Sequence, residues 1–167
     1  MKTARPAFKR QVLGLAVATC FAAAVHANPT GPSVASGAAG FSTSGNTLTV
    51  TNTPGAIINW QAFSIRPDEV TRFIQSGAAS AVLNRVTGAE QSAILGQLLS
   101  NGRVFLINPS GVAIGAGARI DTAGFVASSL NLSNEDFLAG RFRFTDSGNA
   151  GAVTNAGTIN AHSGGPI

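Results

Sequence analysis

Residues 101–133 read NGRVFLINPSGVAIGAGARIDTAGFVASSLNLS, and this stretch decides how the rest of the chain is read. At its centre, Asn108-Pro109-Ser110-Gly111 has the residue order of a type I turn. Asn at the first position bonds the turn backbone, Pro presets φ at the second, Ser suits the third, and Gly is favoured at the fourth. Val104 to Ile107 and Ala113 to Ile114 flank the turn as strand candidates, and Phe125 to Ala127 is a third. Within the same stretch, ARIDTAGFVAS sets Ile120 and Phe125 on either side of an Ala-Gly corner. The later segment AGAVTNAGTINAHSGG repeats that cadence with Val153 and Ile159. Self-similarity of this kind points to solenoid rungs with a period of about 20 residues. Stacked rungs bury a continuous apolar core that no single rung could bury.

The sequence upstream is consistent with an all-β chain. Thr47 to Thr51 alternates with period two, as a half-buried strand does. Ala56 to Ile65 reads AIINWQAFSI, with Ile58, Trp60, Ala62 and Ser64 on one face and Ile57, Asn59, Gln61 and Phe63 on the other. Both faces carry bulk, so this strand is expected to be covered on both sides. Thr71 to Gln75, Ala81 to Val86 and Ser92 to Leu95 are further strands, separated by turn pairs such as Ser76-Gly77 and Thr87-Gly88. Glu90 to Leu99 also fits a helical spacing, but Gly96 and the neighbouring strand signals favour a strand and a corner. Residues 28–45 are rich in Pro, Gly, Ser and Ala and read as a flexible segment leading into the domain of residues 46–167. One short helix is expected after Ser133, which can cap it, with Glu135 and Asp136 in its first turn and Gly140 at its end.

Residues 1–27 read as a cleavable secretory leader. Lys2, Arg5, Lys9 and Arg10 precede an apolar run from Val12 to Val25, and Val25-His26-Ala27 presents small or compact residues to a signal peptidase. The run is shorter than the roughly 20 residues a membrane anchor needs. Cleavage between Ala27 and Asn28 is expected. A lipoprotein reading at Cys20 is disfavoured by the bulk of Thr19, and a buried N-terminal helix is the bland alternative. The leader holds four of the chain's 11 Lys and Arg and none of its 7 acids, so the remainder carries seven Arg against seven acids. A neutral remainder gives no reason to expect nucleic-acid binding. Cys20, the single cysteine, also belongs to the leader, which removes thiol catalysis and cysteine–zinc sites from the domain.

No catalytic, metal-binding or cofactor site is expected. Asp68-Glu69 and Glu135-Asp136 are adjacent pairs, and adjacent strand residues point to opposite faces. Trp60 is read as core rather than as a sugar-stacking platform. The alternation Arg141-Phe142-Arg143-Phe144 is read as a half-buried strand with solvated arginines. Asn131-Leu132-Ser133 matches a glycosylation acceptor sequence, which is weak evidence in a bacterial chain.

Three separated runs, AIINWQAFSI, AVLNRVTG and SAILGQLLSNGRVFLINPSG, occur in an order that resembles two-partner secretion exoproteins. That family includes filamentous haemagglutinin, the high-molecular-weight adhesins, related haemolysins and contact-dependent inhibition proteins. The resemblance covers residues 40–162 and is closest in pattern to the high-molecular-weight adhesins. The family's Asn-Pro-Asn-Gly motif falls on Asn108, Pro109, Ser110 and Gly111, with Ser110 in place of the second Asn. Its Asn-Pro-Asn-Leu motif has no clear match. The resemblance implies a right-handed parallel β-helix with an N-terminal antiparallel cap. It also implies a secretion domain that the general export machinery delivers to the periplasm. An outer-membrane β-barrel transporter with periplasmic recognition modules is the implied partner, with the Asn108–Gly111 turn as the recognition motif. A host surface or glycan would be contacted by regions downstream, because the domain is read as incomplete. The rival readings are a surface adhesive or carbohydrate-binding module and, less favoured, a polysaccharide-active β-helix enzyme.

Overall fold

A computed structural model describes residues 28–146, 148 and 150–162. The expected leader of residues 1–27, with Ala27 of the expected cleavage site, lies outside the described residues. Sixteen short strands and one five-residue helix make up the described fold. The first rung is built from β3 (Thr47–Asn52) and β4 (Ala56–Trp60), closed by the bend that carries Phe63 and Ile65. The second comprises β5 (Val70–Ile74), β6 (Ala81–Val86) and β7 (Ser92–Ile94), and the third β8 (Gln97–Ser100), β9 (Arg103–Ile107) and β10 (Val112–Ile114). The fourth comprises β11 (Arg119–Thr122), β12 (Gly124–Ser128) and β15 (Val153–Asn155), and β16 (Thr158–Ala161) starts the next.

The second, third and fourth rungs each place one strand in each of three sheets; with β1 (Ser33–Ser36) and β2 (Ala39–Ser44) the sheet orders are β1-β4-β6-β9-β12, β15-β10-β7 and β16-β11-β8-β5-β3-β2. The pairings between rungs are parallel, so the expected all-β parallel solenoid is found, with about four turns. Ser92 pairs with Val112 and Gln97 with Arg119, spacings close to the period of about 20 residues expected from the sequence cadence. Inward columns form where equivalent apolar residues stack from rung to rung. Ile65, Ile94 and Ile114 make one column, and Leu48, Leu98 and Ile120 make another, which the buried polar Thr71 interrupts between Leu48 and Leu98. These apolar side chains are buried and form one core with Val50, Trp60, Phe63, Phe73 and Leu106.

Residues 28–45 depart from the expectation of a loose segment. They contain β1 (Ser33–Ser36) and β2 (Ala39–Ser44), which pair antiparallel with β4 and β3 and so begin both large sheets. Their composition hid them because their residues are mainly exposed, which leaves no inward-facing apolar alternation to read. This antiparallel start is the cap that the family resemblance implies. It covers the first rung, where Phe41 meets the Trp60 ring edge-on at 5.5 Å.

The sheet of β4, β6, β9 and β12 is covered on both faces, as AIINWQAFSI suggested. Ile58, Val82, Val104 and Leu106 face the core, while Ile57, Leu83, Phe105 and Ile107 face outward into a second buried cluster. That cluster is completed by a segment looping out between β12 and β15. It contains β13 (Asn131–Leu132), α1 (Asn134–Leu138) and β14 (Phe144–Thr145). The helix forms where expected, with the Ser133 hydroxyl accepting from the Asp136 N–H at 3.1 Å. The alternating Arg141–Phe144 run is only partly a strand. Residues 141–143 are irregular, Phe142 lies 4.9 Å from the Phe105 ring, and Arg141 pairs with Asp136 at 2.7 Å.

Candidate functional site

The Asn108–Gly111 turn connects β9 to β10 at a corner of the third rung, and the sequence order produces the expected geometry. The Gly111 N–H donates to the Asn108 carbonyl at 2.8 Å, and the Ser110 N–H donates to Asn108 Oδ1 at 2.9 Å. The carboxamide nitrogen of Asn108 reaches the other way. It donates to the Glu90 carbonyl and to Ser92 Oγ, each at 2.9 Å, and both residues belong to the corner of the rung beneath. The Asn108 N–H donates to the Ser128 carbonyl in the rung above at 2.9 Å. One side chain thus closes its own turn and ties it to the preceding rung.

Asn108 is fully buried, and so is the Ser92 hydroxyl residue it meets. Pro109 and Ser110 are half-buried and are the two members of the turn that a partner of the folded domain can touch. Gly111 has φ +102°, a left-handed conformation that side-chain-bearing residues rarely adopt. A Cβ there would sit 2.5 Å from the Ala152 carbonyl oxygen of the next corner. Gly151 in that next corner is equally constrained, since its N–H donates to the Pro109 carbonyl at 2.8 Å and a Cβ would lie 2.4 Å from the Ser110 carbonyl oxygen. The corners therefore stack backbone on backbone.

A second buried polar group was missed in the sequence. Asn84 lies on the core side of β6, in the column Ile58, Asn84, Leu106, Ala127. Its Oδ1 accepts from the Trp60 indole N–H at 2.9 Å, and its Nδ2 donates to the Phe105 carbonyl at 3.2 Å. The lone Asn inside AVLNRV is the signal that was available: a polar residue at an inward position of an apolar strand must bring a partner. Trp60, with no exposed surface, is core as expected. Asn28, the expected first residue after cleavage, is half-buried. Its side chain accepts from the Thr71 hydroxyl at 3.1 Å and donates to the Asn46 carbonyl at 3.2 Å.

Several acids serve local structure. Glu69 accepts the Arg66 N–H at 2.9 Å and lies 3.4 Å from the Arg66 guanidinium. Asp121 pairs with Arg119 and with His162, and the Arg119 hydrogen bond, ahead of the His162 contact, holds its carboxyl below the usual range. Asp136 is likewise lowered, chiefly by its hydrogen bond from Arg141. Among the described residues, no group of three His, Cys, Asp or Glu is placed to hold a metal ion. No helix among them is long and apolar enough to cross a membrane.

Residues 25–167 match the model of the TPS secretion domain family, TPS standing for two-partner secretion. A heme/hemopexin-binding protein of Haemophilus influenzae strain Rd is 36% identical over an alignment of 159 residues, in a match that covers 91% of this chain and 18% of that protein. A second H. influenzae heme/hemopexin-binding protein is 37% identical over 90 residues, covering 54% of this chain and 10% of its own length. The crystal structure of the HMW1 secretion domain from H. influenzae is 43% identical, with a TM-score of 0.76. The match covers 79% of this chain and 36% of that one. This chain therefore spans under a fifth of the length of the curated relatives it matches.

Proposed function

The chain belongs to the TPS secretion domain family, and on that premise we propose that it works in two successive export steps whose second depends on folding. It is a secretion domain of an exoprotein, and such domains leave Gram-negative cells through a cognate outer-membrane transporter. In the first step, the leader of residues 1–27 passes the chain to the general export machinery and is removed between Ala27 and Asn28. In the second, a β-barrel with periplasmic recognition modules takes up the chain while it is still extended. An extended segment can add a strand to such a module, with alternate side chains filling pockets. Rung formation outside then opposes return, because the stacked solenoid no longer fits the barrel. Its role is structural and non-enzymatic, and the finished chain belongs outside the cell or on its surface.

The observation that carries this order of events is the burial of Asn108. Within the folded rung its side chain faces Glu90 and Ser92 and offers nothing to a partner. A transporter that reads Asn108 must do so before the third rung closes, while one that binds the folded domain reads Pro109 and Ser110 instead. The test is export of the chain with and without its partner barrel in the same strain. Appearance in the medium or on the surface should require the barrel, and export at the same level without it would overturn the proposal.

A further inference from the structure

The connections at one corner of the solenoid are short, residues 87–91 after β6 and 108–111 after β9, whereas residues 129–152 occupy the equivalent place after β12. Within that longer connection, residues 130–145 fold back over the outer face of the first sheet. Its β13 and β14 form a two-stranded sheet of their own and add no rung to any solenoid sheet. Among the described residues, two hydrogen bonds join residues 130–145 to the rungs: the Leu130 N–H donates to Ser128 Oγ at 3.0 Å where the segment leaves β12, and Arg85 Nη2 donates to the Leu132 carbonyl at 2.6 Å. The remaining attachment is apolar. Leu132 and Phe137 are buried against Ile57, Leu83, Phe105 and Ile107, and Phe137 meets Phe105 edge-on at 5.4 Å.

We propose that residues 129–145 are a strap that docks and undocks as a unit while the rungs beneath stay stacked, so that the domain has a strap-open state exposing the stripe Ile57, Leu83, Phe105 and Ile107. The rungs do not need the strap. Their ladders run from β4 through β12 without it, and their own core lies on the opposite side of the sheet. The strap needs the rungs, because a two-stranded hairpin and a five-residue helix have no core of their own. Arg85 reaches the strap at Leu132. Burial lowers its guanidinium below the ordinary value, and its Nε has no partner, so the closed strap holds a charge at the edge of an apolar cluster. Such a contact sits at the low-stability end of the molecule, where sub-global opening occurs.

Neighbouring residues of one strand make the test. Leu83 and Val82 in β6 are both fully buried, Leu83 under the strap and Val82 in the rung core. In the full chain carrying Cys20→Ser, Leu83→Cys or Val82→Cys supplies the single thiol. Its alkylation by iodoacetamide under native conditions is compared with the rate in denaturant. The thiol at position 83 should react at least about tenfold faster than the thiol at position 82, since only the former is uncovered by a local opening. Adding Phe137→Ala should raise the rate at position 83 by a further factor of about ten or more, and leave position 82 within about twofold. Equal rates at the two positions, or a common rise on Phe137→Ala, would show that the strap opens only when the whole fold does. Where Leu83→Cys prevents folding, Ile107→Cys against Leu106→Cys in β9 makes the same comparison. The readout uses purified chain alone, so it is independent of whether the transport proposal holds.

Discussion

Replacing Asn108 by Ala separates a folding role from a recognition role for the turn. The carboxamide makes three hydrogen bonds, one accepted from the Ser110 N–H and two donated to Glu90 and Ser92. Ala leaves the hydroxyl of fully buried Ser92 without its donor, which costs about 1–3 kcal/mol, and each of the other two lost bonds adds about 0.5–1.5 kcal/mol. The expected loss is therefore about 2–6 kcal/mol, a large fraction of the about 5–15 kcal/mol that holds a domain folded. Urea unfolding followed by the fluorescence of Trp60, the chain's single tryptophan, measures it directly. Pro109→Ala, which removes no side-chain hydrogen bond, serves as the control and should cost under about 1 kcal/mol. Export of the same variants then divides the two roles. If the turn acts after passage, Asn108→Ala chain still reaches the outside but is there degraded by added protease. If the turn is read by the transporter, the variant stays in the periplasm. A stability loss below about 1 kcal/mol would refute the assignment of Asn108 as the tie between the two corners.

Three further outcomes follow from the geometry. Trp60→Phe keeps most of the ring's packing but leaves Asn84 Oδ1 without its donor, so unfolding by urea should show a loss of about 1–3 kcal/mol. An unchanged midpoint would mean that Asn84 has found another partner. Gly111→Ala must hold a Cβ at φ +102° and 2.5 Å from a carbonyl oxygen, and a loss of more than about 1 kcal/mol is expected, read from the thermal midpoint. The lowered carboxyl of Asp136 predicts acid sensitivity of the strap helix. Because its folded value lies below the unfolded one of about 3.9, its contribution is complete above that pH and is lost as pH falls through the folded value. Asp136→Asn should flatten that acid limb of the stability profile, and an identical slope would show that the Arg141 pairing contributes nothing.

Much of the site was legible because its chemistry is local. Four consecutive residues define the turn, and Ser133 with two following acids defines the helix start, so neither needs tertiary information. What escaped depends on contacts between distant segments. β1 and β2 exist because β4 and β3 offer them free ladders, while their own residues face solvent and show no apolar alternation. The run AIINWQAFSI was read in a single phase, but the chain bends at Gln61, where the Gln61 and Thr30 backbones bond. Phe63 is thereby brought into the same core as Trp60 rather than staying on the Ile57 face. In Glu90 to Leu99 the corner prevailed over the helical spacing. Gly96 lies against the Arg66 carbonyl, where a Cβ would come within 2.0 Å, so this bend is set by the rung beneath and not by local propensity.

The same rung-to-rung dependence bears on how an exported chain can fold. Val70 pairs with Thr47 below it and with Gln97 above it, and Gln97 pairs in turn with Arg119. Each rung thus needs only the one before it, and loop closure over such spacings is cheap compared with pairing across a whole domain. Cheap steps alone would allow slipped registers, because apolar columns of Ile, Leu and Val tolerate displacement. The buried polar groups remove that freedom. Asn84 must meet both Trp60 and the Phe105 carbonyl, and Asn108 must meet both Glu90 and Ser92. A slip of one residue turns each of them to the wrong face and leaves a buried amide unpaired, at a cost of about 1–3 kcal/mol per group. Each of these asparagines joins its rung to its neighbours, so register is checked as each rung is added. A chain entering as an extended strand can therefore build the correct stack from one end, with docking of residues 129–145 as its one step across several rungs.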